Sequence, residues 1–223
     1  MFLHIPQILE PDEVETIVSF LSQHELIDGK ISAGYSAKLV KENLQLSRHT
    51  ENKSLIDTIV MEGLNRNESI RKAIFPLKIS SPIFSKYESG MSYGDHFDNP
   101  ITRKEPKLRT DVATTIFLSE PNSYDGGELT VNMCDGILQF KLPCGDAIIY
   151  PASYIHRVEP VTRGTRMVAV TWIQSAVRNP SHRELLYELN LVRASLVNSS
   201  PNSKESILIS KTYSNLIRMW ADI

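Results

Sequence analysis

The chain has 223 residues, 41% of them hydrophobic and 22% charged, with a formal net charge of -2. That length suits one domain with appendages, and the balance is that of a globular protein with enough apolar material for a core. It excludes the basic excess of a nucleic-acid footprint, and no apolar run is long enough for a membrane span, so neither partner is expected.

The opening residues, MFLHIPQILEPDEV, lack a basic stretch followed by a long apolar run, so no export signal is expected. A short strand over 2–8 leads into a helix. Pro11 suits its first turn, and Asp12, Glu13 and Glu15 suit its positive end. Val14, Ile17, Val18 and Leu21 then recur at helical spacing. A second helix over 55–64 would bury Leu55, Ile56, Ile59, Val60 and Leu64, and a short third helix is expected over 68–75. Residues 1–76 thus read as a mostly helical support region.

Residues 77–176 change character. The runs IFSKY, RTDVATTIFLS, GELTV, ILQFKL, DAIIY and RMVAVTWI are β-type, and Ser89-Gly90, Asp125-Gly126-Gly127, Asp135-Gly136, Pro143 with Gly145, and Arg163-Gly164 punctuate them. Such spacing predicts an antiparallel sandwich or barrel. Cys134 and Cys144 form no CxxC pair, which fits a reducing compartment and a cytoplasmic location. Residues 177–223 return to helix. Ser181 with Glu184 has the form of a capping box, followed by Leu185, Leu186, Leu189, Val192 and Leu196. After a break at 198–202 a last helix runs through Ile207, Tyr213, Leu216, Ile217 and Trp220. These stripes must pack on the β region, on each other or on a second copy, so a homo-oligomer is compatible with them.

The sharpest chemical signal is His96-Phe97-Asp98. Alternate strand residues share a face, so the imidazole and the carboxylate can grip one cation. His156, after the strand and turn of DAIIYPASYIH, can supply a third ligand from a distant strand. Two histidines and one carboxylate make the facial triad of non-haem iron, which leaves positions open for a bidentate 2-oxo acid and for O2. A structural zinc site would close them. Arg166 opens RMVAVTW and shares a face with Val168, Val170 and Trp172. A buried arginine among such residues demands an anion, and the far carboxylate of 2-oxoglutarate meets that demand. Arg163 is the rival, but it sits in the turn Thr162-Arg163-Gly164.

The runs YESGMSYGDHFDN, SYDGGELTV and GDAIIYPASYIHRVEPVTRGTRMVAVTW resemble the prolyl 4-hydroxylase branch of the 2-oxoglutarate/iron oxygenases. Over nearly its full length the chain resembles the bacterial PKHD-type hydroxylases, a group linked to iron uptake. The resemblance implies an α+β fold: a double-stranded β-helix (jelly-roll) core over 77–176, flanked by N-terminal helices and a C-terminal helical extension. It implies an Fe(II)- and 2-oxoglutarate-dependent dioxygenase that forms succinate and carbon dioxide while hydroxylating a substrate. The cofactors implied are Fe2+, the cosubstrate 2-oxoglutarate, and L-ascorbate as reductant. Ligands would be His96, Asp98 and His156, none acting as a general base, with Arg166 on the cosubstrate. Tyr87 is read evenly as a cosubstrate contact or a core aromatic. Related enzymes carry a tyrosine on the strand RTDVATTIFL; here Phe117 lacks the hydroxyl, and Thr115 is the candidate to replace it. Trp172 is expected behind the site as core, and the turn Asp125-Gly126-Gly127-Glu128 as structural. The segment 99–108, with Arg103, Lys104 and Lys107, is a solvated loop or a lid over an anionic substrate.

Two other readings compete. A non-catalytic iron-binding or sensing β-barrel module would not need Arg166, and a cupin-like isomerase or zinc enzyme would not need the ten-residue step from His156 to Arg166. The substrate, a peptidyl prolyl or lysyl residue or a small molecule, is not legible in the residues.

Overall fold

The β-type runs pair into antiparallel sheets, and helices cover the outer face of the larger one. The computed structural model describes residues 1–102 and 107–223. Of the segment read as loop or lid, Arg103 and Lys104 therefore lie outside the described residues. The strands are β1 (Leu3–Ile5), β2 (Leu26–Asp28), β3 (Lys41–Glu42), β4 (Leu44–Leu46), β5 (Pro76–Ile79), β6 (Ile83–Tyr87), β7 (Ser92–His96) and β8 (Val112–Phe117). They continue as β9 (Asp125–Gly126), β10 (Leu129–Met133), β11 (Gly136–Phe140), β12 (Ala147–Pro151), β13 (His156–Val158), β14 (Val161–Arg163) and β15 (Arg166–Ser175). The helices are α1 (Pro11–Ser22), α2 (Lys53–Arg66), α3 (Glu68–Ile74), α4 (Pro180–Ser199) and α5 (Lys204–Trp220).

The larger sheet runs β1-β12-β8-β15-β6-β4-β2, with β5 pairing the far end of β15. The smaller runs β11-β10-β13-β7-β3, and β9 with β14 forms a separate ribbon. Alternation along β15 separates two cores. Met167, Ala169 and Ile173 face the helices and pack with Ile17, Ile56, Val60, Leu64 and Ile70. Val168 faces the smaller sheet and packs with Phe117, Leu129, Val131 and Tyr150. Each such side chain, fully buried, contributes about 1.5–3 kcal/mol, so β15 is gripped from both sides.

The local signals for α1 hold. Pro11 is its first residue, the Glu10 N–H donates to the Glu13 carboxylate at 2.8 Å, and Arg66 at the end of α2 grips the same carboxylate at 2.7 and 2.6 Å. In α2 the buried stripe is Ile56, Val60 and Leu64, whereas Leu55 is exposed. The helix starts earlier than expected because Lys53 turns inward, donating to Asp57 and to the Pro82 carbonyl. Between α1 and α2 the chain forms β2, β3 and β4, where the sequence pattern showed no strand. Each has two or three residues, too few to display an alternation.

The cap of α4 also differs. Asn179, not Ser181, stands at the helix start: its side chain accepts the Ser181 N–H at 2.9 Å and Pro180 takes the first position. The buried face is Arg183, Leu186 and Asn190, while Leu185 and Val192 stay exposed. The Arg183 guanidinium donates to the carbonyls of Val177 (2.8 Å) and Arg178 (3.0 Å), pinning α4 to the end of the sheet. In α5 Trp220 stacks on His182 at 4.0 Å, and the Asp222 N–H donates to the Ala176 carbonyl at 2.8 Å. Among the described residues no helix is long and apolar enough to cross a membrane.

The corrected cap is testable. Asn179→Ala should cost about 1 kcal/mol, and Ser181→Ala less than about 0.5 kcal/mol. Urea midpoints of the two variants check the order, and equal losses would return the cap to Ser181.

Candidate active site

The site begins with the pairing of β7 and β13. His96, the last residue of β7, is the Cα partner of His156, the first of β13, and their rings lie 4.3 Å apart. The next pair is Val158 with Tyr93, so three steps along β7 match two along β13. The extra residue is a bulge around Gly94 and Asp95, a device that re-aims neighbouring side chains. The Gly94 carbonyl takes the His96 Nδ1–H at 2.8 Å, and the Tyr154 carbonyl takes the His156 Nδ1–H at 3.0 Å. A carbonyl only accepts, so each ring carries its proton on Nδ1 and offers the lone pair of Nε2.

Asp98 lies just past the end of β7. One ligand atom from each of His96, Asp98 and His156 can be chosen so that all lie within 4.8 Å of one another, close enough to hold one metal ion. Asp98 Oδ2 is buried without a hydrogen-bond partner. Burial pushes the Asp98 carboxyl up; the nearby His156 opposes that. Burial and the facing His156 push the His96 imidazole down to about 3, so the ring is neutral at ordinary pH, as a ligand must be. An orphaned buried carboxylate oxygen beside two imidazoles suits a cation. Phe97, between the ligands, is exposed at the cavity mouth.

The three residues line a cavity of about 490 Å³ between the sheets. From the larger sheet Arg166, Val168, Val170 and Trp172 line it together, which is the shared face that alternation predicts. Arg166 is 1% exposed, and its Nε and Nη1 are buried with no hydrogen-bond partner. A guanidinium so placed leaves strong donors for an anion to satisfy. Arg163 is excluded from that role: it is exposed and donates to Asp125 at 2.6 and 3.0 Å. Tyr87 is the Cα partner of Arg166, with the guanidinium 5.1 Å from its ring, and Phe117 lies at 5.7 Å. Thr115 is buried in the cavity wall.

Three residues escaped sequence reasoning. Tyr150, one strand over on β12, lines the cavity beside Thr115, and its phenol is pushed up by burial and by the Asp98 charge. It places a phenol hydroxyl on the wall next to the strand where Phe117 has none. Tyr124 has a buried, unpartnered hydroxyl beside Arg166; its position directly before Asp125-Gly126-Gly127 was the available signal. Lys41, from β3, is buried in the wall with its pKa brought down to about 8 by desolvation, against the pull of Asp98 and Asp28. Trp172 also differs from expectation: it lines the cavity rather than backing it, and its indole N–H is buried without a partner. Gly127 proves structural. With φ of 67°, it leaves room where a Cβ would press on Arg166 Cδ and Val161 Cγ2, both at 3.0 Å.

Comparison with known proteins decides the family. Residues 82–174 match the 2OG-Fe(II) oxygenase superfamily, and residues 181–222 match the PKHD-type hydroxylase C-terminal domain. A PKHD-type hydroxylase of Rippkaea orientalis is 44% identical over 220 residues, covering 99% of each chain. The chain belongs to the PKHD-type hydroxylases. Another PKHD-type hydroxylase, from Picosynechococcus, is 42% identical over 222 residues and 100% of both chains. In fold the chain is similar to a Pseudomonas putida prolyl-4-hydroxylase (TM-score 0.53, 16% identity, 78% of this chain and 92% of that one). It is likewise similar to a viral collagen prolyl hydroxylase from Paramecium bursaria Chlorella virus-1 (TM-score 0.54, 18% identity, 78% and 96%). The matched PKHD-type relatives extend across α4 and α5, whereas these structures cover about four fifths of the chain.

The neutral His96 gives a pH test. Its folded value of about 3 lies below the free 6.5, so the unfolded chain takes up the proton first. Stability of the metal-free protein should therefore fall as pH drops from 6.5 toward 3. His96→Gln should flatten that slope in urea titrations across pH, and an unchanged slope would contradict a neutral, buried ring.

Proposed function

We propose that His96, Asp98 and His156 hold Fe(II), and that Arg166, with Tyr87 and Thr115 beside it, holds 2-oxoglutarate. One observation carries this reading: three ligand atoms converge in a cavity whose facing sheet presents a buried guanidinium with unmet donors. A closed structural site or a bare sensor gives that guanidinium no task. Iron and 2-oxoglutarate, when bound, supply the activation of O2 that sends one oxygen atom to succinate and the other to a new hydroxyl, with carbon dioxide released.

The chain's own residues bind, orient and exclude water. The carbonyls of Gly94 and Tyr154 fix both imidazoles with Nε2 toward the site. Asp98 is the anionic ligand and offsets part of the dication's charge. Three protein ligands would leave the remaining positions of the ion open for small molecules. Arg166 meets the distal carboxylate with paired N–H donors, and the rings of Tyr87 and Phe117 keep the guanidinium from swinging away. Val168, Val170 and Leu129 keep the wall dry, which strengthens each charge interaction within it. Ascorbate is assigned the reductant's role. The two sheets are read as a double-stranded β-helix over 77–176, between the support region 1–76 and the extension 177–223. The substrate is read as one with an unactivated C–H bond, a prolyl or lysyl residue or a small molecule tied to iron uptake, met in the cytoplasm.

Asp98→Ala should lower succinate release by more than about 100-fold, since even residues behind a ligand cost 10–100-fold. Arg166→Ala should raise the KM for 2-oxoglutarate by about 10-fold to 100-fold, the worth of a lost charge-assisted pair. Arg163→Ala should leave it within about twofold, as expected for an exposed ion pair. Succinate assays with Fe(II) under air give all three values. An unchanged KM in Arg166→Ala would mean the cosubstrate is held elsewhere.

A further inference from the structure

Lys41 is buried in the cavity wall, yet the chemistry proposed above gives it no part. Its strand β3 pairs with β7, where Tyr93 is its Cα partner. The ammonium lies 4.9 Å from the Tyr93 ring centroid, and that ring stacks on His96 at 3.5 Å. Lys41, Tyr93 and His96 therefore form a layered stack that ends at a candidate metal ligand. Lys41 is 5% exposed. Its Nζ donates to the Ser32 hydroxyl at 3.0 Å, and that hydroxyl donates onward to the Gly29 carbonyl at 3.1 Å. An ammonium has three N–H donors, and a serine oxygen and a ring face do not replace a counter-ion. Among the described residues no carboxylate lies within ion-pair distance of it, and Asp98 is the only acidic residue lining the cavity.

A buried cation without an anion is costly unless a ligand answers it. Asp98 is assigned to the metal. With metal, Asp98, Arg166 and a dianionic cosubstrate together, the charges cancel and that of Lys41 is left over. The cavity mouth adds a second requirement: Ile31 (69% exposed), Tyr35 (89%) and Phe97 (61%) line it, an apolar rim on which a hydrocarbon body can rest. Arg48 lines the same cavity from an exposed position.

We propose that Lys41 anchors an oxyanion, carboxylate or phosphate, of the primary substrate, and that this substrate is an organic anion with an apolar body. The proposal rests on the oxygenase reading, because that reading assigns the cosubstrate's own carboxylate to Arg166. The stack gives it a geometric consequence. An oxyanion on Lys41 sits one aromatic layer away from His96, so a carbon a few bonds further along lies near the metal ligands.

The test is direct binding, by calorimetry, to the full chain loaded with Mn(II) and N-oxalylglycine, inert stand-ins for iron and 2-oxoglutarate. The probes are hexanoate, its neutral isostere hexanamide, and hexyl phosphate. At least one anion should bind wild type at millimolar concentration and about 10-fold to 100-fold more tightly than the amide, the range of a charge-assisted hydrogen bond. Lys41→Met should bring that anion down to the level of the amide, and Lys41→Arg should keep the preference. Binding of the acid and the amide alike, binding of neither anion, or an anion preference that survives in Lys41→Met would overturn the proposal. The wild-type comparison stands even where a variant fails to fold. Failure of wild type to take up Mn(II) and N-oxalylglycine would instead overturn the oxygenase reading, and the same comparison on metal-free protein would then decide Lys41 by itself.

Discussion

The structure depends on the register between β7 and β13. That pairing sets His96 opposite His156 and, through the bulge at Gly94 and Asp95, frees a carbonyl to hold the first ring. A slip of one residue in either strand would turn its imidazole to the outer face. The register is itself held by burial: Val131 and Val158 lock the smaller sheet against Val168 and Tyr150 of the larger. The hydrophobic core and the candidate metal centre are thus one construction, since the apolar pattern that fixes the strands also fixes the ligands.

Electrostatics complete it. Buried polar atoms without partners are uncommon in folded proteins. Here several sit around one cavity: Asp98 Oδ2, Arg166 Nε and Nη1, and Trp172 Nε1, with the Tyr124 hydroxyl beside Arg166. Scattered, they would be packing faults. Gathered, they describe a negative point and a positive point separated by a dry wall, the complement of a cation and a small dianion. Their cost is offset by the cores on either side of β15, which bury the strand that carries Arg166.

Much of this was legible in the residues. His96, Asp98 and the distant His156 do converge, although β7 ends at His96 and Asp98 stands beyond it rather than on the same strand. The period-two run after Arg166 keeps one face, because strands alternate in a way that a reader can count. The strands IFSKY and DAIIY fall where their apolar runs lie. What escaped obeys no period. β2, β3 and β4 are too short to alternate, so the wall that holds Lys41 looked like a connection between helices. Ser181 drew the cap of α4 because Ser-x-x-Glu is a common signature, yet Pro180 favours the first helical position and leaves the cap to Asn179. Tyr150 was hidden for another reason: its place on the cavity wall comes from standing across the ladder from the strand of Thr115, a neighbour that chain order does not reveal.

The short strands between α1 and α2 have a wider consequence. They lie before residue 82, where the match to the oxygenase superfamily begins, yet they bring Lys41, Ile31 and Tyr35 to the cavity. On the proposed assignments, the residues for reactivity and for substrate choice lie in different lengths of chain. Under those assignments, one reaction engine could be refitted for new compounds by rewriting a few dozen residues ahead of it, without touching the strands that carry the candidate ligands.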